Sequence, residues 1–169
     1  MSAVGREAVA GQFGASLDML EHAIEACPDA LWTAGPPWQQ FWYLASHTLW
    51  WLDYYLSGQP TTFEPPPPFG MEEADPAGVL PPRAYTREEL LAYLAHGRSR
   101  CAAVLRALTD ESAARPCGYP RKSFSALELH IYNLRHVQHH TAQLQLLLRQ
   151  GGVEPPRWVG RAAADWPGA

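Results

Sequence analysis

Four stretches of this sequence repeat their apolar residues every three or four positions, and nothing between them alternates as a strand would. That pattern restricts the chain to an all-α fold, in which each helix buries an apolar stripe against its neighbours. The first stretch, 6–26, carries Phe13, Leu17, Leu20 and Ile24 and stops at Pro28. The second, 38–57, follows Gly35-Pro36-Pro37, is apolar nearly all round, and is closed by Gly58 and Pro60. The third, 86–110, opens with Thr86-x-x-Glu89, a capping box in which hydroxyl and carboxylate satisfy free backbone N–H groups. It continues through Leu90, Leu94, Cys101, Leu105 and Leu108. A second box, Ser125-x-x-Glu128, opens the fourth stretch, 125–150, which ends at Gly151-Gly152.

A chain of 169 residues has room for one domain with a proper core and is short for two, so 1–169 is expected to fold as a single four-helix bundle. Residues 58–85 are too rich in proline for a helix or a central strand. Connections of that length tend to be binding loops or lids, and in a bundle they also carry the chain from one end to the other. The tail, 151–169, lacks a helical pattern, but Trp158 and Trp166 imply that it folds back on the bundle or into a partner subunit.

Charge excludes several classes of function. With 17 acidic and 13 basic residues and a net charge of -4, the chain has no basic run to meet a phosphate backbone, so no nucleic-acid partner is expected. No window approaches the roughly 18 apolar residues of a membrane helix, and the start shows no signal-peptide pattern. A soluble, cytoplasmic protein is the expectation. Cys27, Cys101 and Cys117 are odd in number and widely spaced, which argues against a disulfide framework and against a cysteine zinc site.

The fourth stretch places three of its histidines within five positions, His136, His139 and His140. Residues four apart on a helix lie about 40° apart around its axis, so His136 and His140 point from consecutive turns toward one locus, their Cβ atoms about 5–6 Å apart. His139 is rotated roughly 60° the other way, beside the polar arc of Glu128, Arg135 and Arg149, and is left out of the ligand set. A third ligand has to come from another helix facing the same interior, and His47 is the candidate. It sits amid Tyr43, Trp50, Trp51 and Tyr54, where an unpaired polar group costs about 1–3 kcal/mol. His130 falls on the apolar side as a core residue or a support to the ligands. His22 and His96 lack partners at ligand spacing and are expected to be solvated or capping.

These residues also carry a family resemblance. A histidine midway along an aromatic second helix, a long second connection, and His136-Val-Gln-His139-His140-Thr-Ala-Gln143-Leu144 in the last helix resemble the DinB-like family over about residues 8–150. The last string is similar to the family's H-x-x-H-H-R-G-Q-[IL], with Thr141 and Ala142 where arginine and glycine are frequent. The resemblance implies an up-up-down-down bundle, a homodimer, and His47, His136 and His140 as metal ligands. Its characterised members include metal-dependent thiol S-transferases and a mycothiol-dependent isomerase, so it implies a low-molecular-weight thiol as a partner.

Three neutral imidazoles suit zinc or nickel and leave a coordination position open, the mark of a catalytic rather than a closed structural site. Such a metal favours hydrolysis, by lowering the pKa of a water, or thiol transfer, by holding a thiolate. The His136-x-x-x-His140 spacing is that of H-E-x-x-H peptidases, but Val137 and Gln138 replace the glutamate that would serve as base. No carboxylate stands out as a general base: Asp53 is about 120° from His47 on its helix, and Glu128 is on the polar arc. Tyr43 and Tyr54 read as core aromatics. The expected function is thus that of a divalent-metal protein acting on a small molecule as a thiol S-transferase or hydrolase. Its catalytic residues are not assigned, and the alternative is a non-catalytic, ligand- or metal-binding dimeric bundle.

Overall fold

The computed structural model describes residues 3–163 and Trp166. Among them are six α-helices and no strand: α1 (Ala3–Ala26), α2 (Asp29–Trp32), α3 (Phe41–Ser57), α4 (Arg87–Ala107), α5 (Asp110–Ala114) and α6 (Ala126–Gln150). The long ones, α1, α3, α4 and α6, match the four periodic stretches to within a few residues. Both expected capping boxes are formed, Thr86 accepting from the Glu89 N–H and Ser125 from the Glu128 N–H, each glutamate reaching back. None of these helices is long and apolar enough to cross a membrane.

The four pack as a ring in which α1 and α3 each touch both α4 and α6. Residue pairs give their directions. Arg6 near the start of α1 donates to the Leu108 carbonyl just past α4, while Arg87 at the start of α4 donates to the Cys27 carbonyl just past α1. Those helices are antiparallel. On α3 and α6, His47 faces His140 whereas Tyr55 faces Tyr132, again antiparallel. By contrast α3 and α4 are parallel, with Trp42 against Tyr85 ahead of α4 and Asp53 bound to Arg100. Likewise α1 and α6 are parallel, with Met19 near Gln138 and Leu31 packed on Gly151. The order is therefore up-down-down-up, which corrects the up-up-down-down expectation. The cause lies in the connections: α2 and the turn after it reverse the chain at one end, and the 58–86 stretch then runs back so that α4 starts at the end where α3 starts.

That stretch is folded onto the helices it joins. The Trp50 indole donates to the Gly70 carbonyl at 3.0 Å, and Phe69 packs between Tyr85 and Tyr93 with centroids 4.4 and 4.2 Å away. Here is the reason α3 is apolar nearly all round: part of its surface faces α4 and α6, and the rest lies under the connection. The tail covers α1, Ala162 N donating to the Gly11 carbonyl and Trp166 burying itself against Gly14. Trp158, the other expected anchor, is 70% exposed.

Candidate metal centre

The antiparallel contact of α3 with α6 brings the three expected histidines together across the middle of both helices. Ring centroids are 4.5 Å apart for His136 and His140, 4.6 Å for His47 and His140, and 5.3 Å for His47 and His136. One nitrogen of each lies within 4.8 Å of the others, and the cluster could hold a metal ion. His47 keeps 23% of its side chain exposed, so the cluster is open to solvent. The bonding of the rings fits a ligand role. His47 Nδ1 lies 2.5 Å from Glu73 Oε1 and His140 Nδ1 2.7 Å from Gln143 Oε1. Both partners are acceptors, so each Nδ1 carries the proton and each Nε2 is left with a free lone pair. His136 Nδ1 is buried without a hydrogen-bond partner.

Glu73 is the participant that the sequence did not reveal. It belongs to a short 3-10 turn, Glu72–Ala74, in the long connection, and besides His47 it accepts from the Trp51 indole at 2.9 Å and the Tyr43 hydroxyl at 3.2 Å. No carboxylate stood out in the sequence as a general base, and Glu73 enters the site as a hydrogen-bond partner of a ligand candidate. The hint in the sequence was an acidic group, Glu72, Glu73 and Asp75, following the prolines of the long connection. A carboxylate behind a histidine fixes its tautomer and orientation and raises its basicity toward a metal.

The electrostatics favour the neutral form of the cluster's two α6 histidines. Burial, followed by the neighbouring charges of His140 and His47, pushes the His136 pKa down to about 3. Burial and then His47 also lower His140, against the bond from Gln143. Burial alone would raise Glu73, but the bonds from His47, Trp51 and Tyr43 together hold it below the ordinary carboxylate range. Unprotonated imidazoles at His136 and His140 are the state a divalent cation requires of them.

The other histidines divide as follows. His139 is exposed and outside the cluster, and His22 is solvated, both as expected. His130 is buried at 6% exposure, its Nδ1 without a partner. His96 differs from expectation, because its Nε2 faces Asp53 at 3.4 Å. Asp53 itself is fully buried and held by Arg100 at 2.6 Å and the Tyr93 hydroxyl at 3.2 Å, which ties α3 to α4 and removes it from catalysis. Tyr54 stacks on Trp50 at 5.3 Å as a core aromatic. Tyr43 lies against Trp42 and Trp38, packs on the His47 ring at 6.2 Å between centroids, and donates to Glu73.

A model described as the DinB superfamily matches residues 12–144, more than three quarters of the chain and all three histidines. No curated protein matches it.

Proposed function

The chain belongs to the DinB superfamily, and from that premise we propose that it binds a divalent metal, zinc or nickel, through His47, His136 and His140. On this reading it acts on a small molecule as a thiol S-transferase or a hydrolase. The observation that carries the proposal is the convergence of one nitrogen from each ring to within 4.8 Å, from two helices that contact each other at this point. When bound, such a metal supplies Lewis acidity at a position left open to a thiol or a water. The residues of the chain do the rest. Glu73 accepts the His47 Nδ1 proton and orients that ring; Gln143 does the same for His140. Trp51 and Tyr43 hold the carboxylate that holds the histidine, so the ligand set is braced from the connection as well as from the helices.

We read the chain as one domain, a four-helix bundle in up-down-down-up order, and carry forward from the resemblance a homodimer. The test is elemental analysis of protein prepared without a histidine tag, beside a His47→Ala, His136→Ala, His140→Ala variant. About one zinc or nickel per chain, lost in the variant, supports the site; no metal in the wild type, before or after exposure to either ion, defeats it. Turnover of thiol cosubstrates with small electrophiles, or of hydrolysable amides, then separates transferase from hydrolase. A metal-loaded protein inactive on both leaves the binding-only alternative.

A further inference from the structure

The chain has a single lysine, Lys122, and its Nζ lies 4.1 Å from the centroid of the Tyr132 ring, with Tyr55 at 5.3 Å and Phe124 at 5.6 Å. Among the described residues no carboxylate pairs with this ammonium. Ring faces attract a cation but accept no conventional hydrogen bond, so the three N–H donors of the lysine are still to be used.

Two rows of side chains connect it to the metal centre. On α6, Tyr132, His136 and His140 follow at intervals of four; on α3, Tyr55, Trp51 and His47 do the same in the opposite sense. Centroids are 5.4 Å apart for Tyr55 and Tyr132, 5.4 Å for Trp51 and Tyr55, and 6.4 Å for His47 and Trp51. Four helical residues rise about 6 Å, which sets the caged ammonium about one turn from His136 along the α3/α6 seam. Between the two polar ends lie the partly exposed Trp51, whose free face is apolar, and the buried Tyr55.

We infer that Lys122 is an anion subsite of the metal centre, and that the substrate is a small molecule with a metal-seeking group at one end, an apolar linker, and a carboxylate at the other. The inference rests on the metal reading above. A lone ammonium matches the single charge of a carboxylate, and the aromatic wall suits methylenes rather than a polar chain.

The test uses the zinc-loaded protein and two series of probes, ω-mercaptocarboxylates and the ω-mercaptoalcohols of equal length, from two to six methylenes. Dissociation constants are measured by calorimetry, and zinc per chain is counted in every sample. In the wild type the acid is expected to bind about tenfold tighter than the alcohol, most clearly for the longer chains that span a helical turn. The preference should vanish in Lys122→Gln and persist in Lys122→Arg, with zinc content the same in all three. Lys122→Met replaces the glutamine variant if that one does not fold. No preference for the acid in the wild type, or an undiminished one after the charge is removed, overturns the subsite while leaving the metal centre intact. A wild type that holds no zinc defeats the metal reading, and the subsite falls with it.

Discussion

At the scale of single residues, the centre depends on a division of labour between groups that would touch a metal and groups that prepare them. Glu73 is of the second kind, so Glu73→Gln, which keeps shape and loses charge, should weaken metal binding by about 10–100-fold without unfolding the protein. Competition against a chromophoric chelator measures this, and an unchanged affinity would remove Glu73 from the account. His136 supplies a prediction in pH. Its folded-state pKa of about 3 lies below the 6.5 it has when unfolded, so on acidification the unfolded chain takes up the proton first. The contribution to metal-free stability is present above pH 6.5 and is lost as pH falls toward 3. Denaturant melts at pH 7 and pH 4.5 should show a smaller acid loss in His136→Asn than in the wild type. His136 and His140 were legible at this scale because a helix repeats its geometry every turn. Glu73 was not, because nothing local relates it to a histidine 26 positions away.

At the scale of elements, α3 packs against both α4 and α6 and lies under the long connection. The buried Asp53 is its polar link to α4, bonded to Arg100 and Tyr93. Asp53→Ala leaves the buried Tyr93 hydroxyl unpaired and Arg100, one-third exposed, without its partner, so it should cost about 1–3 kcal/mol in chemical denaturation. A loss below about 1 kcal/mol would mean that Arg100 swings out to water. The capping boxes of α4 and α6 could be read from four letters each, since a cap is a contact between residues three apart. The opposite holds for Asp53. Its angle on α3 excluded it from the metal centre correctly, yet its partner on another helix could not be found from periodicity.

For the whole molecule, a ligand that binds the folded chain alone stabilises it, by about 2.7 kcal/mol at a hundred times its Kd. Saturating zinc should therefore raise the Tm and a chelator should reverse the rise, with no such response in the variant lacking all three histidines. An identical Tm with and without metal would argue that the cluster is merely polar core. The DinB superfamily was recognisable from three separated features, and the all-α class, the four long helices and the His136/His140 pair all followed from patterns repeated within a few residues. Local hydrogen bonding and helical pitch determine such features, so sequence alone sufficed for them. The direction of each helix, the carboxylate behind His47 and the caged Lys122 beside His136 depended instead on where the long connection and the loop before α6 come to rest. Those places are set by packing between residues far apart in the chain, which no periodicity records, and only the tertiary structure could decide them.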